Sequence, residues 1–205
     1  MEMPEVEIRP IGESDLDAAA GLIAAAFLDE PGTLGVIKRS PRKRRRILER
    51  FFTTQLMLNL RQGVSTCSFL NGELVGVMVL SGPDNNSIPT GEVIRFLLRM
   101  MLHVSPAILW RGFTSSLLDE KHRPDRPHYY LETLAVDPQL QRRGIGAALL
   151  SYLTDKADRE GILVYLSTTD PRNVPLYERH GFRTVSETEQ SGVPSYHMER
   201  RPMQA

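Results

Sequence analysis

The sequence predicts a mixed α/β domain with one central β-sheet and helices on both faces of that sheet. Segments of strand-like and helix-like composition alternate along the 205 residues. An Asn-Gly pair separates two apolar runs near residue 71, and a glycine-bearing loop joins a strand to a helix near residue 144. At this length we expect residues 1–205 to form a single domain.

The first predicted elements are a strand and two helices. Residues 6–9 alternate between apolar and polar side chains, which predicts a strand. Ser14 or Asp15 is placed to cap the first helix. The apolar face of that helix includes Leu16, Ala20, Ile23 and Phe27. Pro31-Gly32 predicts a loop, and residues 41–61 predict a second helix with proline in its first turn.

The middle of the chain predicts a hairpin and a third helix. Residues 64–70 and 73–80 flank Asn71-Gly72, and Asn-Gly between apolar runs is a strong signal for a two-residue hairpin. A loop follows over 81–91. Residues 92–118 are helical in pattern and unusually apolar, and a charged, proline-bearing connector covers 121–127.

The last third of the chain alternates between strands and helices. Aromatic and β-branched residues over 129–136 predict a buried strand, which Asp137-Pro138 ends. Apolar residues at helical spacing begin at Ile145. Residues 161–167 predict the next strand, a short helix precedes Gly181, and residues 182–187 and 195–200 predict a closing antiparallel pair.

Composition excludes several classes of function. The 25 basic and 25 acidic residues balance, which argues against a nucleic-acid or anionic-membrane partner. The basic run 42–46 is therefore interpreted as a solvated face at a helix start. The single cysteine, Cys67, is expected to be a small buried group, and the N-terminus has no signal-peptide core, so we expect a cytoplasmic protein.

The loop before the helix at Ile145 has the properties of an anion site. Backbone N–H groups at a helix N-terminus are unpaired and carry partial positive charge. Gly144 and Gly146 allow close approach of a phosphate, and Arg142 and Arg143 can add charge-assisted hydrogen bonds. The loop lacks both the Gly-Lys-Ser/Thr of nucleoside-triphosphate loops and the three spaced glycines of dinucleotide folds.

The Q-R-R-G-I-G-A sequence of this loop resembles the pyrophosphate-binding loop of the GNAT N-acetyltransferase superfamily. L-Y-E-R-H-G-F, at residues 176–182, resembles the second signature of that superfamily. Together with P-R-N-V-P before it, the pattern is most similar to the puromycin N-acetyltransferase-like branch. The resemblance covers about residues 128–187, and the acceptor side would then lie mainly in residues 1–127.

The resemblance implies acetyl-CoA as cosubstrate and a sheet whose two central strands splay apart to admit it. It assigns to coenzyme binding the backbone of the strand end and the residues of the loop, with Asn173 beside the coenzyme's arm. The residues concerned are Leu134, Ala135, Val136, Arg142, Arg143, Gly144, Ile145, Gly146, Ala147 and Asn173. For Asn173, a helix-cap role remains the alternative.

Two residues are candidates for the chemistry of amide formation. Glu132 is a carboxylate inside an apolar strand, on the face that we expect it to share with Leu134 and Val136, and it is placed to deprotonate an amine. The alternative is a structural ion-pair partner. Resemblance implies that Tyr177 protonates the departing thiolate or holds the thioester, and its alternative role is core packing.

The sequence thus predicts an enzyme that moves an acetyl group from acetyl-CoA to a primary amine of a small molecule, without a covalent intermediate and without a metal. The alternatives are a non-catalytic acyl-CoA sensor and an acetyltransferase acting on protein N-termini or lysines. The apolar segment 92–118 has three interpretations: it lines the acceptor pocket, contacts a second subunit of a homodimer, or forms core.

Overall fold

Seven strands form one mixed sheet in the computed structural model, which describes residues 6–60, 64–83, 91, 108, 121–190 and 192–203. In chain order the strands are β1 (Glu7–Pro10), β2 (Thr66–Leu70), β3 (Glu73–Ser81), β4 (His128–Val136), β5 (Leu163–Thr168), β6 (Arg183–Gln190) and β7 (Val193–Arg200). In space their order is β1-β2-β3-β4-β5-β7-β6. The predicted α/β class and the predicted order of strands along the chain are confirmed.

Five α-helices with described bounds accompany the sheet, together with two 3₁₀ turns at Glu13–Asp15 and Pro171–Asn173. The α-helices are α1 (Leu16–Ala26), α2 (Pro31–Val36), α3 (Pro41–Asn59), α4 (Ile145–Glu160) and α5 (Val174–Arg179). Side chains of α1 and α3, among them Ile23 and Leu56, pack with Val77 and Val79 on one face of the sheet. On the other face, α4 packs against β4 and β5. Burial of both faces is what holds the layers together.

Two expectations for the N-terminal region are wrong. The predicted loop at Pro31-Gly32 begins α2, because Pro31 occupies the first turn and the Glu30 side chain accepts a hydrogen bond from Thr33 N at 2.8 Å. Asp15 occupies the N-cap position of α1, but its side chain makes no capping hydrogen bond. Its carboxylate instead accepts two hydrogen bonds from Arg9, at 2.7 and 2.9 Å, and one from Gly12 N.

The hairpin between β2 and β3 is confirmed in position and in turn chemistry. Asn71 and Gly72 have φ values of +53° and +82°. Both values lie in the left-handed region that a type I′ turn requires, and asparagine and glycine are the residues that tolerate it best. The turn places β3 beside β4 in the centre of the sheet.

The central strands β4 and β5 separate after four residue pairs. Their parallel register joins His128 to Leu163 and ends with Leu131 opposite Leu166. Beyond that point β4 continues to Val136 while it pairs with β3 alone among the described strands. The splay that the resemblance implied is therefore present, and it opens one edge of β4 over residues 132–136.

A one-residue bulge in β4 changes the face on which Glu132 lies. Thr133 pairs with Val79 and Leu131 pairs with the next residue, Leu80, so Glu132 is the extra residue. Leu134 packs in the cluster of α4, whereas Glu132 contacts α3. The expectation that Glu132 shares a face with Leu134 and Val136 is wrong, because the bulge reverses the alternation between residues 131 and 134.

The basic run at the start of α3 has one buried member. Arg44 is 7% exposed and bonds Asp29 at 3.1 Å, while the other basic residues of the run are exposed. The interpretation as a solvated helix face therefore holds for all of the run except Arg44. Cys67 lies buried on β2, as expected.

The apolar segment 92–118 lies outside the described residues, apart from Ile108. That side chain is buried in the cluster formed by α1, α3 and the sheet. The connector over 121–127 is described and contains neither helix nor strand, as predicted. Within the described ranges, no helix combines the length and the apolar character needed to cross a bilayer.

Candidate active site

The glycine loop between β4 and α4 is held in shape by its own hydrogen bonds. Asp137 N donates to Val75 O at 3.0 Å, and Leu140 N donates to Asp137 O at 2.8 Å. Arg142 and Gly144 both adopt positive φ, +63° and +88°. Left-handed residues before a helix start turn successive N–H groups towards one concavity, which is a backbone anion site.

The N-terminus of α4 is electropositive. Its first turn consists of Ile145, Gly146, Ala147 and Ala148 and carries no acid, and Arg142 and Arg143 are exposed beside it. A Cβ added to Gly146 would lie 3.6 Å from Val136 and 4.0 Å from Leu176, which is ordinary contact. Packing therefore does not require glycine at 146, and the absence of a side chain there is compatible with the close approach of a phosphate to the helix start.

The open edge of β4 runs towards this loop. Leu134, Ala135 and Val136 pair with Met78, Val77 and Gly76 on one side. On the other side, no described strand pairs with them. Unpaired strand edges bind extended amides by strand addition, so this edge can accept an extended chain that carries amides.

Three neutral donors converge on the Glu132 carboxylate. Gln55 Nε2 donates to Oε2 at 2.6 Å, Asn59 Nδ2 donates to the same oxygen at 3.3 Å, and the Ser81 hydroxyl donates to Oε1. The first two belong to α3 and the third to the end of β3. In the described part of the chain Glu132 forms no ion pair, so the ion-pair alternative finds no support there.

Tyr177 lies on α5 in a buried site. Its ring packs at a tilt on Phe182, with centroids 5.9 Å apart, and the residue is 7% exposed. Burial raises the pKa of its phenol well above the usual value, and the carboxylates of Asp170 and Glu30 add to the shift. The hydroxyl therefore keeps its proton throughout the neutral range, and no described residue hydrogen-bonds it.

Asn173 occupies the junction between a short 3₁₀ turn (Pro171–Asn173) and α5. Its side chain makes no capping hydrogen bond. Asp170 caps the turn instead, since its Oδ1 accepts from Arg172 N at 3.0 Å. The half-buried Asn173 amide is thus not used as a helix cap.

The α1–α2 connection meets the end of β5 close to Tyr177. The Thr169 hydroxyl donates to Glu30, and Gly32 N donates to Thr169 Oγ1 at 3.2 Å. The sequence carries no signal for this contact, because Glu30 and Thr169 are 139 residues apart. The same holds for the partners of Glu132, of which Gln55 is 77 residues away.

The described residues contain no group of three His, Cys, Asp or Glu side chains arranged to hold a metal ion. The polar groups of this region are instead a carboxylate, a protonated phenol, a backbone edge and an anion-binding loop. Together they can deprotonate one group, protonate another and hold a phosphorylated chain between them.

Comparisons with known proteins agree with this arrangement. The model of the acetyltransferase (GNAT) family matches residues 39–182. A mycothiol acetyltransferase of Salinispora arenicola is 37% identical over 87 residues, which are 40% of this chain and 28% of that protein. An uncharacterized N-acetyltransferase of Schizosaccharomyces pombe is 23% identical over 82% of this chain and 70% of its own length.

Solved structures share the fold over nearly the whole chain. A Corynebacterium glutamicum protein, described as histone acetyltransferase HPA2 and related acetyltransferase, has a TM-score of 0.73 at 22% identity and covers 98% of both chains. The PaiA N-acetyltransferase of Thermoplasma acidophilum, in complex with coenzyme A, has 0.60 at 15%, covering 96% and 99%. Arylalkylamine N-acetyltransferase 2 of Aedes aegypti has 0.66 at 15%, covering 96% and 99%. The chain belongs to the GNAT family of acetyltransferases and is an enzyme of the N-acetyltransferase class.

Proposed function

We propose that this enzyme transfers the acetyl group of acetyl-CoA to a primary amine of a small molecule in a ternary complex. The observation that carries the proposal is the joint placement of three features. The anion-binding loop, the open edge of β4 and the Glu132 carboxylate all belong to one strand and its continuation. A chain bound along that edge would end near Glu132.

In this proposal the loop holds the phosphates of the coenzyme. Backbone N–H groups at Gly144 to Ala147 donate to the pyrophosphate, and Arg142 and Arg143 supply charge. Backbone groups of Leu134, Ala135 and Val136 pair with the pantetheine amides. The Asn173 side chain, which caps no helix, supplies a further hydrogen bond to the pantetheine arm.

Glu132 accepts a proton from the attacking amine, directly or through one water. The amine nitrogen forms a bond to the thioester carbonyl carbon, the carbon–sulfur bond breaks, and the Tyr177 hydroxyl gives its proton to the sulfur. A backbone N–H on the open edge of β4 is placed to polarise the carbonyl. The products are an amide and free coenzyme A.

A covalent acetyl-enzyme is not part of this proposal. The chain has a single cysteine, Cys67, which is fully buried on β2. Burial raises the pKa of its thiol to about 12, which leaves almost no thiolate at neutral pH. Direct transfer needs only the base and the acid described above.

The surroundings of Glu132 favour a small-molecule acceptor. Its side chain extends from β4 and is hydrogen-bonded by residues of α3 and of the end of β3. Structural neighbours include enzymes described as arylalkylamine and polyamine N-acetyltransferases. The resemblance to the puromycin N-acetyltransferase-like branch is also part of this proposal. It rests on the two signature blocks, which lie outside the acceptor side, so it does not identify the acceptor.

Screening primary amines with acetyl-CoA tests the proposal, with release of free thiol as the readout. We expect at least one small amine to be acetylated, with kcat/KM above that of peptides bearing a free N-terminus or lysine. A higher kcat/KM for the peptides would favour the protein acetyltransferase. Tight acetyl-CoA binding without turnover of any amine would favour the non-catalytic sensor.

A further inference from the structure

Gln55 presents two different polar atoms to the site of Glu132. Its Nε2 donates to Glu132 Oε2 at 2.6 Å. Its Oε1 is buried and accepts no hydrogen bond from the residues that the structure describes. If the amide were turned over, Oε1 would face the carboxylate oxygen, and two acceptors would repel each other. The hydrogen bond therefore identifies Nε2 as the bound atom and Oε1 as the unpaired one.

The unpaired carbonyl is close to the proposed base. The oxygen and nitrogen of one amide are roughly 2.2 Å apart, so Gln55 Oε1 lies at most about 5 Å from Glu132 Oε2. Two N–H groups of one tetrahedral nitrogen reach acceptors that are about 4.7 Å apart at normal hydrogen-bond lengths. The two oxygens are therefore spaced to accept from a single amine.

We propose that Gln55 recognises the acceptor amine, its Oε1 accepting one N–H while Glu132 accepts another. This inference rests on the proposed function and adds a specificity-determining residue to it. A primary amine offers an N–H to each oxygen and keeps one lone pair for attack. An N-methylated amine satisfies only one of the two oxygens, and its methyl group would meet the buried carbonyl. The site thus selects primary over secondary amines.

Gln55→Met tests the inference, because methionine keeps the unbranched shape and removes both polar atoms. The probes are the primary amine that the screen shows to be turned over and its N-methyl derivative. We expect kcat/KM for the primary amine to fall roughly 10-fold, the scale of one hydrogen bond between uncharged groups. We also expect the preference for the primary amine over its N-methyl derivative to shrink by the same order.

Asn59→Leu is the matched control, since it removes the other amide donor to Glu132 Oε2. If Gln55 only orients Glu132, both variants lower kcat and neither changes the preference. That outcome overturns the inference and leaves the proposed function standing. Thermal unfolding and coenzyme A affinity equal to the parent show that each variant is folded. A screen in which no amine is acetylated overturns the proposed function, and this inference with it.

Discussion

Glu132 is surrounded by neutral donors and not by a cation. Two side-chain amides and one hydroxyl hold the carboxylate in a fixed orientation. An arginine or lysine in their place would stabilise the carboxylate and weaken it as a base, which is the behaviour of a structural ion pair. The partners observed in the described residues hold the carboxylate in one orientation without pairing it with a cation.

Glu132→Gln should remove the base while it preserves the local structure. The new amide can keep its oxygen towards Gln55 and Asn59 and turn its NH₂ towards Ser81, whose hydroxyl can rotate to accept. We expect kcat/KM to drop about 10²-fold or more at neutral pH and to recover partly at high pH, where the amine deprotonates unaided. A pH–rate profile measures this, and an equal loss at every pH would assign Glu132 to substrate positioning.

Tyr177→Phe should remove the proton donor and keep the ring packing on Phe182. Because burial raises the pKa of this phenol, it keeps its proton over the whole neutral range and does not act there as a base. We expect kcat to fall by about 10- to 10³-fold with coenzyme affinity unchanged. If kcat is unchanged in single-turnover experiments that isolate the chemical step, Tyr177 has only a packing role.

The sequence revealed Glu132 but not its surroundings. A carboxylate within an apolar strand is conspicuous in any sequence. The donors Gln55, Asn59 and Ser81 lie on two other elements, 51 to 77 residues away, and each is an ordinary polar residue in its own context. The sequence also does not reveal the bulge that turns Glu132 towards α3. Assigning side chains to alternate faces of a strand assumes that the strand pairs with its neighbour without an extra residue.

The loop and the first turn of α4 act together as one binding element. A side chain at position 146 would enter the space between Val136 on β4 and Leu176 on α5. Gly146→Glu should therefore weaken coenzyme A binding roughly 100-fold or more, since a carboxylate there opposes the phosphates. Calorimetry measures the affinity.

Gly146→Ala is the control for that substitution. Its Cβ makes only ordinary contacts, so we expect the alanine variant to fold and to bind within a few-fold of the parent. Gly144 is less suitable, because its φ of +88° makes any side chain strained. If the glutamate variant bound as tightly as the alanine variant, the phosphates would have to lie elsewhere.

Element positions were predictable where local chemistry decides them. Asn71-Gly72 and the proline at the start of α3 each specify a turn or a helix start by their own conformational limits. Pro31-Gly32 suggested a loop because proline and glycine commonly mark turns, whereas in the structure Glu30 caps a helix there and also accepts a hydrogen bond from distant Thr169. The sequence did not distinguish Arg44 from the basic residues beside it, because its burial depends on a contact with Asp29 that forms only in the folded protein.

A second polar cluster surrounds the buried His197 and includes residues of β5, β6 and β7. Its Nδ1 lies 2.7 Å from the Tyr165 hydroxyl, its Nε2 lies 3.0 Å from the Thr188 hydroxyl, and its ring stacks on His122 at 4.3 Å. Burial, helped by His122, lowers the pKa of His197 to about 4. The ring is thus neutral in the folded protein at every pH above that value.

This burial makes stability depend on pH. An unfolded histidine binds a proton near pH 6.5, whereas folded His197 does so only near 4, so the stabilisation is complete above 6.5 and lost as pH falls towards 4. We expect unfolding to become easier by on the order of 2 kcal/mol between pH 7 and 5. Thermal melts of the parent and His197→Gln measure it, and equal pH slopes would contradict the assignment.

The order of strands in space was the part of the fold that the sequence could not supply. Adjacent hairpins and the α/β alternation predict neighbours, and β2 with β3 and β6 with β7 are such pairs. The insertion of β7 between β5 and β6 depends instead on pairing between segments that are distant in the sequence, such as Val164 with Arg200.

The short seam between β4 and β5 divides the proposed chemistry between two halves of the protein. Glu132 belongs to the half built from β1 to β4, and Tyr177 follows β5 in the other half. Four residue pairs at one end fix the angle at which these halves diverge. The distance between the Glu132 carboxylate and the Tyr177 hydroxyl, which is the reach from proton acceptor to proton donor, therefore depends on the geometry of the sheet. A change of one residue pair in that seam would alter this reach even though it touches neither group.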